Sequence, residues 1–361
     1  MNRKNEHLAP RFNFDVLLEL LTFLHSRNDL LAFMHTCKTL YKAGLPLLLG
    51  GPQPVFDYIE YLDWFCDFIL MDPIYRIPRL RELHLDIGEI DSNWEHVVSS
   101  LITILTKANN LKKLSLLDCE EFLANDERFQ AVFCSLPKLR EFTIRKVDVR
   151  SMKMLEALTV PLSTLDIGFL EVEEQDEYDD HIFPDPAPYL ESFADSLEVL
   201  RVKNWAFDML GAVCPRVHTV QIDGYNHVDI DVLLHYFPNL RDLSVVCNED
   251  KSTDDDAHAV RMSNKLEGRA TWKSLRKLSG DVGSLYLLAA QCQVDHVAIT
   301  KIDNENCHRV RAIIGSVRPQ NVLLDTYEEA LLNKSPAVNL SRCPGLTALC
   351  VRITHPRICL Q

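Results

Sequence analysis

The phrase L-x-x-L-x-L returns along most of this chain, and that recurrence constrains the fold more than any other feature. It reads Leu80, Leu83, Leu85, then Leu111, Leu114, Leu116, then Leu139, Phe142, Ile144. It continues through Leu162, Leu165, Ile167; Leu197, Leu200, Val202; Val217, Val220, Ile222; and Leu240, Leu243, Val245. A weaker copy opens on Leu275 and Leu278 and closes on Gly280, and a full one follows at Val294, Val297, Ile299. Pro319 opens a marginal copy with Val322 and Leu324, and Leu346, Leu349, Val351 end the series. Successive copies begin 19 to 35 residues apart, about 27 on average. One copy cannot bury its own apolar row, so neighbouring copies must stack.

The segments between copies carry helical periodicity. Trp94, Val97, Val98, Leu101, Ile104 and Leu105 recur at three and four residues, as do Phe129, Val132, Phe133 and Leu136. Val232, Leu233, Tyr236 and Phe237 form another such stripe, and Ile313, Ile314 and Val317 a fourth. Several copies follow a proline (Pro78, Pro137, Pro161, Pro215, Pro238, Pro344), which ends a helix and favours an extended entry. Strand, helix and strand again in one sense predict an α/β parallel solenoid of the leucine-rich-repeat kind, with helices on its convex side. The consensus of such repeats sets Asn or Cys eight residues after the first leucine. Only Cys119 and Asn248 meet that rule, so the buried polar ladder is expected to be mostly missing and the solenoid irregular.

The first fifty residues are a different unit. Val16, Leu17, Leu20, Leu21 and Leu24 fall on one predicted helical face, and Asp29 is the expected N-cap of a second helix. About forty residues in short helices bury too little to stand alone, so they need the repeats or a partner. The stretch 10–50 resembles an F-box. The family pattern L-P-x-[ED]-[ILV]-L aligns with Phe12-Asn13-Phe14-Asp15-Val16-Leu17, with Asn13 where proline is usual and Phe12 where leucine is usual. A D-L-L segment follows at Asp29-Leu30-Leu31 and a [VT]-C-[KR] segment at Thr36-Cys37-Lys38. The resemblance implies a non-catalytic adaptor of an SCF-type ubiquitin ligase, with the F-box on a Skp-type adaptor, a cullin scaffold behind it, and the repeats holding a target protein. It implies that Phe12, Val16, Leu17, Leu20, Leu24, Leu31, Met34 and Cys37 face the adaptor or support that face. The bland alternative is that they form the core of a small helical cap.

The organisation expected from sequence is therefore an F-box-like domain at 10–50, an amphipathic helix at 54–73 and repeats over 78–361. In the middle segment Ile59, Leu62, Phe65, Cys66 and Ile69 form one stripe, with Asp57, Glu60, Asp63 and Asp67 mostly opposite. That pattern predicts a helix capping the first repeat.

Charge and chemistry narrow the function. Asp and Glu number 52 against 38 Lys and Arg, a net charge of -14, which argues against nucleic acid and anionic membrane. No signal peptide or membrane span is expected, and eleven cysteines without a C-x-x-C pair suit reduced thiols of the cytoplasm or nucleus. No phosphate-binding, nucleophile-elbow or H-E-x-x-H motif occurs, so no catalytic residue, cofactor or metal is expected. Cys343, Cys350, Cys359 and His355 match no standard zinc spacing. For target binding, the side chains between the apolar strand positions are the candidates: Arg145, Asp166, Arg201, Lys203, Gln221, Asp223 and Asp242. Two acidic stretches, 171–180 and 249–256, are expected to be loops.

Overall fold

A computed structural model describes residues 13–24, 26–51, 53–87, 94–169, 187–204, 211–224, 229–247, 254–265, 271–303, 305–327 and 345–354. The chain divides into two compact units, one of residues 1–116 with 131–139, the other of residues 117–130 with 140–361.

The first unit opens with three helices, α1 (Phe14–Phe23), α2 (Arg27–Met34) and α3 (Lys38–Gly50). Asn13 caps α1, its side chain accepting from the Asp15 N–H at 3.0 Å. The cap of α2 is Ser26 rather than the expected Asp29, which lies in the first turn, where its charge suits the helix dipole. Leu21, Leu30, Met34, Leu40, Leu45, Leu48 and Leu49 are the buried core of the three helices.

Next come β1 (Val55–Phe56), α4 (Ile59–Leu70), α5 (Pro73–Arg76), β2 (Glu82–Leu85), α6 (Trp94–Lys107) and β3 (Lys113–Leu116). The helix expected over 54–73 is thus confined to Ile59–Leu70, because Val55 and Phe56 pair in parallel with His84 and Leu85 instead. A two-residue strand has no periodicity to betray it. The apolar stripe of α6 is buried along its whole length, as its spacing predicts.

In the second unit α7 (Cys119–Asn125) comes first, and α8 (Arg128–Cys134) lies where the chain passes back to the first. Strands and helices then alternate: β4 (Glu141–Val147), α9 (Val149–Ala157), β5 (Thr164–Phe169), α10 (Ala187–Glu191), β6 (Val199–Lys203), β7 (Thr219–Asp223), α11 (Ile230–Tyr236) and β8 (Asp242–Val246). The series ends with α12 (Asp254–Asn264), β9 (Ser274–Asp281), α13 (Val282–Leu288), β10 (Gln293–Ile302), α14 (Cys307–Val317), β11 (Asn321–Tyr327) and β12 (Ala348–Thr354). β4 to β12 form one parallel sheet in chain order, each strand bonded to the next. The fold is α/β and solenoid-like, as the repeat predicts. No helix of the described residues is long and apolar enough to cross a membrane.

The apolar triplets stack in register: Leu165, Leu200, Val220 and Leu243 align, and so do Ile167, Val202, Ile222 and Val245. All are buried. The last copy differs. Leu349, Val351 and Ile353 on β12 stand 43 to 49% exposed, since no helix follows them among the described residues.

A second regularity sits one step beyond the triplet. Lys146, Asn204, Gly224 and Lys301 all adopt positive φ, each seven residues after the first apolar position of its copy. After Lys146 and Lys301 the register shifts, and the following residue, Val147 or Ile302, turns inward. Asn204 keeps its own side chain inside, donating to the Phe169 carbonyl of the preceding copy at 3.4 Å. Thr326 does the same to the Ile302 carbonyl at 3.1 Å. The polar ladder is therefore partly present, displaced to the seventh residue in these copies. Of the two expected members, Cys119 is buried at the start of α7 and Asn248 lies outside the described residues.

Candidate functional site

The candidate residues fall in two places, the α1 to α3 helices of the first unit and the sheet of the second.

On α1 the apolar residues do not share one face as the periodicity predicts. Leu21 alone is buried, while Val16, Leu20 and Phe23 stand 49, 46 and 64% exposed at helical spacing, with Phe14 beside them. Leu17, Leu24, Leu31 and Cys37 are half-buried, and Met34 is wholly inside, 1% exposed. Phe12 lies outside the described residues. The arrangement is an outward stripe backed by a packed core, with a small cleft of about 330 Å³ lined by Leu21, Leu24, Arg27, Leu30, Leu47 and Leu48. Leu20 and Phe23 leave about half or more of their surface in water, a cost that a partner covering them would remove.

Asn13 has φ -66°, a value that proline also adopts. Asn13→Pro should therefore shift stability by less than about 1 kcal/mol, the lost cap offsetting the stiffened unfolded chain. Urea unfolding of the two chains measures it; a loss above about 2 kcal/mol would show that the cap matters more than the backbone preference.

In the second unit the sheet carries six of the seven candidate residues in three register rows, and Arg145 in the register break of β4. Asp166, Arg201 and Gln221 lie in one register row with Ser244, and Lys203 and Asp223 in the next with Gly168 and Val246. Asp242 belongs to a third row, beside Thr219 and Lys277. Several already have partners. Arg145 pairs with Asp166 at 2.7 Å, its stem lying over Gly168, where a Cβ would stand 2.7 Å from Arg145 Cδ. Asp242 is held by Arg276 and by the Thr219 hydroxyl, and hydrogen bonding from Arg276 lowers its pKa against the opposing effect of burial. Arg201 and Gln221 remain exposed, with neither a hydrogen bond nor an ion pair from their side chains among the described residues. Farther along the face its character changes: the row of Ser244 and Ser279 continues as Ala298, Leu323 and Cys350. There a cleft of about 620 Å³ is lined by Ala298, Leu323, Leu349 and Cys350 with His296 and Asn321. The face thus offers polar groups at one end and apolar ones at the other, chemistry suited to a protein surface.

Elsewhere, a cleft of about 1240 Å³ along α12, α13 and α14 is lined by His258, Arg261, Lys265, Arg311 and Arg318, with no Asp or Glu among its described lining residues. Arg261 is a buried strut there, donating to the carbonyls of Tyr286 and Ala312 and to the Ser316 hydroxyl. Its burial lowers its pKa.

The thiols are poorly placed for nucleophilic work. Burial pushes Cys66 and Cys119 up to about 12, and Cys214, Cys247 and Cys292 up to about 11, so at neutral pH they stay protonated. Of the C-terminal Cys/His cluster only Cys350 is among the described residues, and it is exposed. Asp63, Asp67 and His96 bring ligand-type atoms within 4.8 Å of one another on the surfaces of α4 and α6. The acidic stretch 171–180 and residues 249–253 lie outside the described residues, while Asp254 to Asp256 open α12.

Neither a protein-family model nor a curated protein matches this chain.

Proposed function

We propose that this chain is the target-recognition subunit of an SCF-type ubiquitin ligase, its F-box-like helices α1 to α3 docking on a Skp-type adaptor and its repeats holding the protein to be modified. The observation that carries the reading is the exposed stripe of Val16, Leu20 and Phe23 on a helix whose other side is anchored by Leu21. Covering such a side chain fully is favourable by about 1.5–3 kcal/mol, so a partner seated on the stripe gains from each. Through the adaptor the chain reaches a cullin scaffold. Its contribution is proximity, raising the effective concentration of the target at the site of ubiquitin transfer, with no bond-making role for its own residues. The open sheet face, with Arg201 and Gln221 at one end and Ala298 and Leu323 at the other, is the surface assigned to the target.

A second reading has one observation in its favour. Asn13 supplies a helix cap where the family carries proline, so the helices would also suit a plain cap on a repeat scaffold that works outside a ligase.

A pull-down with a purified Skp-type adaptor separates the two. Wild type should form a salt-resistant complex, and Leu17→Asp with Leu20→Asp should lose it while keeping the wild-type circular dichroism. Phe23→Asp, at a residue 64% exposed, serves as a variant that leaves the core untouched. Failure of the folded wild type to bind would leave the scaffold reading.

A further inference from the structure

The outward face of α4 carries more than the carboxylates that its sequence pattern highlights. Its inner stripe, Ile59, Leu62, Phe65, Cys66 and Ile69, is buried and fixes the helix in place. On the other side Tyr58, Tyr61 and Trp64 are 59, 51 and 65% exposed and form a continuous row, with ring centroids 5.6 and 5.7 Å apart. Met71 and Ile74 extend the patch beyond the helix, 77 and 90% exposed. Asp57, Glu60, Asp67 and Asp72 stand exposed around it, and no Lys or Arg occurs between Gly51 and Tyr75. Trp and Tyr on a rigid helix bring large contact area at little entropic cost, and contiguous apolar surface of this kind marks an interface.

The charge identifies the partner. Ring faces are electron-rich and attract cations, most strongly when carboxylates nearby share the charge. The same unit uses this pairing twice where a cation is at hand: Arg76 lies over the Phe68 ring at 4.1 Å and Arg79 over Tyr75 at 3.4 Å. Tyr58, Tyr61 and Trp64 have no cation over them among the described residues.

We propose that the outer face of α4 is a docking surface for a basic, apolar-bearing peptide segment of a partner protein. Arg or Lys side chains of that segment lie on Tyr61 and Trp64 and pair with Glu60 and Asp67, while its apolar residues cover Met71 and Ile74. This surface is separate from the α1 stripe and does not depend on the ligase reading.

The test uses the full chain and two fluorescein-labelled twelve-residue peptides, one with Arg and Leu at helical spacing and one with every Arg replaced by Glu. Anisotropy titrations should show binding of the Arg peptide only, weakening as salt rises. Trp64→Ala with Tyr61→Ala should reduce affinity roughly tenfold or more, Glu60→Lys with Asp67→Lys should do likewise, and Trp64→Phe should retain most of it. These positions are exposed or half-exposed, and circular dichroism checks the fold of each variant. The proposal is overturned by a wild type that binds neither peptide or both alike, or by a Trp64→Ala, Tyr61→Ala chain that binds as tightly as wild type. Sedimentation covers the other occupant: a dimer that dissociates in the same double variant would make a second copy of this chain the partner, and would overturn the proposal too.

Discussion

Gly280→Ala is expected to destabilise the second unit by about 3 kcal/mol or more, because an added methyl group there meets strand backbone. Gly280 fills the third apolar position of its copy on β9, directly opposite Val245 of β8. A Cβ there would stand 2.1 Å from the Val245 carbonyl oxygen and 3.2 Å from both Leu285 Cγ and Leu285 Cδ2. The nearest obstacle is backbone within a parallel ladder, so relief requires moving one strand away from the other. Side chains that bend aside would soften such a clash, but a ladder carbonyl cannot. Gly283→Ala is the natural comparison: it lies in α13, and its added Cβ would meet only Asp281 Oδ1 at 3.4 Å. Alanine's higher helix propensity should make that change neutral or stabilising by up to about 1 kcal/mol. Chemical denaturation of the three proteins reads both effects, and a Gly280→Ala midpoint equal to that of wild type would refute the close approach of β8 and β9.

Glu120→Ala should cost about 2–3 kcal/mol, because one carboxylate serves as the cap of a helix that belongs to the next repeat. α9 begins after Asp148, whose side chain makes no cap bond. Glu120 takes over, accepting from the Arg150 N–H at 3.3 Å, from the Ser151 N–H at 3.0 Å and from the Ser151 hydroxyl at 2.9 Å, with Arg150 Nη1 at 3.2 Å. Ser151 is fully buried, so losing this acceptor leaves its N–H without a partner in a dry site and its hydroxyl with only the Cys119 sulfur. Partial burial of Glu120 raises its pKa, but the four bonds from Ser151 and Arg150 outweigh burial and hold it below the ordinary carboxylate value. The sign follows from linkage. A folded-state pKa below the unfolded one, about 4.3, gives stability that is complete above that pH and lost as the pH falls through the folded value. Wild type should therefore lose stability faster than Glu120→Ala on acidification below about pH 5, the two curves converging. Parallel curves would remove Glu120 from the account of acid sensitivity.

The repeat was legible because its signal is long-range and redundant. Most triplets from Leu80 to Val351 obey the same rule, so weak copies such as those of Gly280 and Pro319 are carried by their neighbours. What escaped the sequence is local and set by tertiary contact. β1 is two residues long and exists only because β2 offers it an edge. The polar ladder is hidden because the repeat consensus sets it at the eighth residue, whereas Asn204 and Thr326 occupy the seventh. The outer row of α4 escaped because Tyr58, Tyr61 and Trp64 lie among carboxylates that already account for a solvent face. In the candidate sheet surface, residue types were readable but their occupancy was not. Asp242 answers to Arg276, which lies 34 residues on and reaches it only through strand pairing.

The chain-order pairing of β4 to β12 also sets how the second unit comes apart. Each strand exchanges hydrogen bonds only with its immediate neighbours in the sequence, so loop-closure entropy stays small and cohesion is shared out locally. Cooperativity then travels along one dimension. A weakened junction between β8 and β9 would split the ladder into two blocks that each keep their own nearest neighbours, so partial opening, with amides exchanging on one side and protected on the other, is built into the topology.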